Sequence, residues 1–165
     1  IAKNKLDQAL EYIHQICTDI DNSRVIRYCN NEALNLILSS YADQAKESGI
    51  DVRISVTATD FTRFQITDLC SLFANALENA IHACEKIPTS EKRYITLKVF
   101  EKNDRICINI ANNYIQNPVF ENEIPTSHEA NHGIGVRRMI SVVEKYHGVY
   151  GFFTENKEFR FQASL

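Results

Sequence analysis

A chain of 165 residues, 44% hydrophobic and 24% charged, with a formal net charge of −3, has the size and balance of one globular domain. The mild negative charge gives no footing for nucleic acid or an anionic membrane, and no run approaches the roughly eighteen apolar residues of a membrane span. Five cysteines, at 17, 29, 70, 84 and 107, are an odd number without C-x-x-C spacing; they point to neither a zinc module nor a disulfide framework and suit a reducing cytosol.

In chain order, residues 1–20 predict a helix, with Leu6, Ala9, Leu10, Ile13, Ile16 and Cys17 repeating at three and four. Asp19, Asp21, Asn22 and Ser23 break it. The absence of an initial Met or signal sequence suggests a piece of a longer protein. Residues 30–48 predict a second helix, striped by Leu34, Ile37, Leu38, Tyr41 and Ala45, with Gly49 just past its end. Ile50, Val52, Ile54 and Val56 alternate as a half-buried strand, and residues 60–65 connect it to the next element.

That element, over residues 68–86, is the most informative part of the chain. At helical pitch Ile66, Leu69, Cys70, Phe73, Leu77, Ala80, Ile81, Cys84 and Ile87 share an apolar face. Asp68, Ser71, Asn75, Glu78, Asn79, His82 and Lys86 share the other. Thr67 or Asp68 is the expected cap. Asn75 and Asn79 stack one turn apart, although Asn costs a helix about half a kcal/mol against Ala. A row of amides, carboxylate and imidazole can ligate a hard cation through oxygen and meet phosphate through nitrogen.

Two alternating runs follow, 94–100 and 105–111, joined by a turn at Lys102, Asn103 and Asp104. Residues 112–132 form the longest irregular stretch, with Pro118 and Pro125. Gly133 and Gly135 open a helix over 136–146, where amides without a shielding Cβ can approach an anion, and Gly148 follows its end. A closing hairpin, 149–153 with 158–165, turns at Glu155, Asn156 and Lys157. Alternating helices and strands with late hairpins predict a two-layer α/β sandwich, a mixed sheet with helices on one face.

NALENAIHA, followed about fifty residues later by HGIGVRRM, resembles the N-box and second glycine box of the GHKL (Bergerat-fold) ATP-binding superfamily. Asn at both 75 and 79, after Leu69-Cys70, is most similar to sensor histidine kinases of peptide-sensing two-component systems in Gram-positive bacteria. The resemblance implies a catalytic ATP-binding domain over 22–165, and in 1–21 part of the second helix of a dimerisation hairpin through which the whole protein forms a homodimer. It implies ATP and Mg²⁺ as cofactors. The expected reaction is transfer of the γ-phosphoryl to a histidine outside this chain, for relay to a response regulator. The expected location is the cytoplasmic portion of a membrane-anchored receptor, this part making no contact with membrane or nucleic acid. His14 lies in HQIC, without the acidic or basic neighbours of the family's acceptor motif, so it is not the expected acceptor.

The resemblance also assigns roles. Asn79 is the magnesium ligand, and Asn75 stands where hydrolysing members carry Glu, making it the catalytic-position residue. His82 contacts phosphate. Gly133, Ile134, Gly135, Val136 and Arg137 present amides and charge to the phosphates, with Arg138 as a second possible cation. Asn112 stands where the family reads adenine with Asp, and the glycines of that first box are missing. The resemblance makes residues 112–132 the lid over the nucleotide, and there Ser127-His128 replaces a common Ser-Lys. Both departures predict weak nucleotide binding. Two rivals are an anti-sigma-factor-type serine kinase of the same fold and a non-catalytic pseudokinase interaction module.

Overall fold

A computed structural model describes residues 26–126 and 132–165. The helix expected over 1–20, His14, and Ser127-His128 lie outside the described residues. The elements run α1 (Glu32–Glu47), β1 (Asp51–Val56), α2 (Ile66–Glu85), β2 (Tyr94–Lys102), β3 (Arg105–Asn113), β4 (Val119–Glu121), β5 (Ile124–Thr126), α3 (His132–Lys145), β6 (Val149–Glu155) and β7 (Glu158–Ser164). The main sheet has the order β1-β2-β3-β7-β6; β1 and β2 are parallel and the other pairs antiparallel. The parallel pair needs a crossover, and α2 supplies it. Helices pack against one face of the mixed sheet, the two-layer sandwich that the alternation predicts.

Register explains the burial. One row across the sheet reads Ile54, Leu97, Ile110, Phe161, Phe152, all facing the helices. Leu69, Leu72, Phe73, Leu77, Ala80, Ile81 and Cys84 of α2 are buried against that layer. Ile66 and Cys70 of the expected apolar face are half-exposed.

The ends of elements hold several surprises. Asn31 caps α1, its side chain accepting from the Leu34 amide at 3.0 Å, and Gly49 takes φ +72° beyond the helix. The cap expected of Thr67 or Asp68 is not made: Gln65 is the N-cap of α2, without a side-chain cap bond. At the end of α3 the left-handed residue is His147 (φ 53°), not Gly148. The His147 amide donates to Glu144 O at 3.0 Å and the Gly148 amide to Val143 O at 2.9 Å, a Schellman closure. Gly148 is required for space, since a Cβ there would stand 2.6 Å from Ser164 O. The stretch 112–132 is less irregular than its sequence: Asn112 and Asn113 complete β3, and β4 and β5 pair as a hairpin. Arg93 joins two helix ends, donating to Ile87 O at 2.9 Å, Ser48 O at 3.0 Å and Glu85 O at 3.4 Å.

Candidate nucleotide site

The polar stripe of α2 is divided: Glu78 is exposed on the side toward α1, whereas Asn75 and Asn79 are half-buried beside α3. The part with the two asparagines runs along the seam with α3 and opens into a cavity of about 460 Å³, within the range of small-molecule sites. The cavity exists because α2 contributes small side chains (Ala76, Ala80 and Ala83) opposite large ones on the sheet: Ile110, Phe152, Phe159 and Phe161. Val136 and Met139 of α3 close one side, and Tyr114, Pro118, Val119 and Pro125 another.

Asn112 forms part of this wall. Positions 106, 108 and 110 of β3 face the helices, so 112 does too, in the row Ile95, Asn112, Phe159. Among the described residues it is the one buried polar side chain, 3% exposed. Its Nδ2 donates to Asn113 O at 3.0 Å, which turns Oδ1 into the role of acceptor. Neighbouring Asn113 is structural. Its Oδ1 accepts from the Tyr94 amide at 2.9 Å, and its Nδ2 donates to Lys92 O at 2.7 Å.

Asn79 and His82 also line the cavity, with Lys86 one turn beyond. The Asn79 Nδ2 points to the Met139 sulfur at 3.8 Å, leaving its Oδ1 as the group for a cation. Asn75 is turned differently. Its Nδ2 donates to Ser71 O at 2.6 Å, and its Oδ1 faces Gly135. A Cβ on Gly135 would lie 3.0 Å from Asn75 Oδ1 and 3.7 Å from Asn79 Nδ2. Gly135 therefore lets the first turn of α3 rest on both asparagines, whereas a Cβ on Gly133 would meet nothing within 4 Å.

The site residues read from sequence thus fall into two connected groups. Asn79, His82, Asn112 and Val136 line the cavity. Asn75 and Gly135 meet at the adjoining α2–α3 seam, and Gly133, Ile134 and Arg137 stand exposed on the first turns of α3. The glycines lie within the first turn of the helix, which starts at His132, rather than before it. Sequence reasoning missed Met139, the alanine spacing at 76, 80 and 83, and the aromatic wall. The strand alternation that turns Phe159 and Phe161 inward was the available signal.

Residues 64–165 match the family model of the GHKL domain. The chain belongs to the GHKL domain family. This GHKL domain shares its fold with solved histidine kinases. The catalytic domain of histidine kinase ThkA aligns with a TM-score of 0.64 at 15% identity, over 82% of this chain and 91% of that one. The mycobacterial sensor histidine kinase MprB aligns at 0.61 and 15%, over 81% and 93%. The Acinetobacter baumannii histidine kinase AdeS aligns at 0.59 and 9%, over 97% and 82%. No curated protein sequence matches the chain.

The donor set suits a nucleotide better than a bare metal. Among the described residues no group of three His, Cys, Asp or Glu side chains could hold an ion. A Mg²⁺ ion would rest on the Asn79 amide oxygen and on oxygens brought by the ligand. No described helix is long and apolar enough to cross a membrane.

Proposed function

We propose that this domain binds Mg·ATP and serves as the catalytic part of a sensor histidine kinase. The observation that carries the reading is Asn112, a buried amide in an apolar wall of the cavity. Its Nδ2 is already engaged by Asn113 O, so its Oδ1 is the atom that can accept, and an adenine amino group is a fitting donor to it. Ala80 and Ala83 leave room for the flat base against the Phe159 and Phe161 side.

From there the phosphates run toward the first turns of α3, where the amides of residues 133–137 and the positive helix end receive them. His82 and Arg137 add charge-assisted contacts. Mg²⁺, when bound through Asn79, neutralises phosphate charge. Asn75 holds the seam and offers no basic group to activate water. The protein's work is positioning and charge stabilisation. The acceptor is a histidine outside this chain, and the phosphoryl group passes to a response regulator. Residues 1–21 belong to the dimerisation hairpin of a homodimer, and the domain is the cytoplasmic part of a membrane-anchored receptor.

Titration with adenosine, ADP and ATP, with and without Mg²⁺, tests the reading. At ten times Kd, ATP adds about 1.4 kcal/mol, a rise of roughly 3–5 °C in Tm. Asn112→Leu is expected to abolish binding of all three ligands. No Tm shift with millimolar Mg·ATP would favour the pseudokinase reading.

A further inference from the structure

The N-terminal and C-terminal halves of α3 are held to α2 in different ways. Near its start the polar contacts are slight: the bare Cα of Gly135 on Asn75, and the Met139 sulfur 3.8 Å from Asn79 Nδ2. At its end there is a closed network. Lys145 Nζ donates to Asp68 Oδ2 at 2.6 Å and to Gln65 Oε1 at 2.9 Å. The Tyr146 hydroxyl donates to the same Asp68 oxygen at 2.6 Å and accepts from the Gln65 amide at 2.9 Å. The Tyr146 ring packs edge-on against Phe64, centroids 4.9 Å apart. Tyr146 thereby takes up an N–H at a helix start that lacks a side-chain cap.

We propose that Asp68, acting through Lys145 and Tyr146, is a positioning residue for the phosphate-binding end of α3. The inference rests on the nucleotide reading above for its functional consequence. Between the two ends, Val136, Met139, Ile140 and Val143 bury an apolar stripe. Apolar burial is non-directional and tolerates small tilts; hydrogen bonds of fixed geometry do not. From Lys145 to Gly135 the helix spans about 15 Å. A tilt of about 4° about the network would displace the Gly135 amide by about 1 Å. A misplacement of that size among the reacting groups, even when its cause lies far from them, costs up to about a hundredfold in rate. Asp68 does not line the cavity, whose wall includes Asn112 on β3, so its effect is expected on the phosphates and not on a base held at Asn112.

The test compares Asp68→Ala, Asp68→Asn and Tyr146→Phe with Arg93→Met, which breaks helix-end bonds elsewhere. Two readouts are taken beside Tm. One is the ligand-free nuclear Overhauser contact between the Gly135 α-protons and the side-chain amide protons of Asn79, whose Nδ2 lies 3.7 Å from where a Gly135 Cβ would stand. The other is the ratio of dissociation constants for adenosine and Mg·ATP. The expected result for Asp68→Ala is a weakened contact and about tenfold weaker ATP binding with adenosine binding unchanged. Tyr146→Phe and Asp68→Asn follow in smaller steps and serve if the alanine variant fails to fold. Arg93→Met is expected to lower Tm while leaving both readouts alone. An unchanged contact and ratio in all three network variants overturns the proposal, as does an equal change in Arg93→Met. If the wild type binds no nucleotide, the functional reading fails, and the ligand-free contact still decides whether Asp68 positions α3.

Discussion

The side-chain oxygen of Asn75 stands 3.0 Å from the point where a Cβ on Gly135 would be, so the two helices of the site meet through an amide and a missing side chain. A side chain added at Gly135 would crowd that oxygen.

Gly133 and Gly135 are expected to respond oppositely to alanine. Both lie in α3, where Gly costs about 0.5–1 kcal/mol against Ala. Gly133→Ala meets open space and should gain at most that amount in urea denaturation, the full figure applying to helix interiors. Gly135→Ala must push Asn75, whose amide is tied to Ser71, and should give no gain while weakening Mg·ATP binding.

Turnover of ATP by the domain alone is expected to be very slow, well under the ~1 s⁻¹ lower end of typical enzymes. Asn75 has no basicity near pH 7. Glu78 is exposed and sits on the α1 side of α2, close enough to raise the Tyr41 hydroxyl pKa, second to burial. A steady-state phosphate-release assay checks this, and Glu78→Gln should leave the rate unchanged. A rate at or above that bound, abolished by Glu78→Gln, would make the protein an ATPase.

Much of this was legible in the chain. The α2 stripe, the β2–β3 turn and the closing hairpin each carry a local signal: helical spacing, or positive-φ residues such as Asn103, Asp104, Asn156 and Lys157. Asn79 and Asn112, which the sequence singles out as candidate site residues, both line the cavity. The tertiary partners were not legible. No local pattern says that Asp68 would leave the cap position to serve Lys145 and Tyr146, or that Arg93 would gather carbonyls from two helices. Gly148 looked like a left-handed residue because glycine commonly is one; its actual constraint is the Ser164 carbonyl, far along the chain. The hairpin within 112–132 was hidden because β4 and β5 are three residues each, too short to show alternation.

Arg93→Met should destabilise the domain by about 2–4 kcal/mol. The guanidinium serves three carbonyls at the ends of α1 and α2, and hydrogen bonds to charged donors are worth about 1.5–3 kcal/mol. Chemical denaturation measures this. A loss under about 0.5 kcal/mol would show that water replaces the side chain freely.

Cys84 sets an alkaline limit. Burial pushes its thiol up from 9.0 to about 11, against smaller lowering from the Tyr94 carbonyl and Arg93. Between those values the folded state keeps a proton that the unfolded state has lost. The unfolded state then binds fewer protons, and stability falls as pH rises. Full stability is present below about pH 9, and a decline on the order of 2 kcal/mol is expected toward pH 11. Cys84→Ala should flatten that decline in Tm against pH. Labelling by a thiol reagent at pH 8 should be slow at Cys84 and limited by opening of the fold.

The strand order β1-β2-β3-β7-β6 also divides the domain by how its chain must close. β2 with β3 and β6 with β7 are two-residue hairpins that need little loop entropy. Joining β1 to β2 instead requires threading the whole of α2 across the sheet, and non-local closures of that kind are slow. Because α2 carries Asn75, Asn79 and His82, the cavity is expected to be among the last parts of the domain to assemble. A newly synthesised or partly unfolded chain would then display native hairpins before it could hold a nucleotide. Nucleotide retention, rather than sheet content, would be the stricter measure of whether the molecule has finished folding.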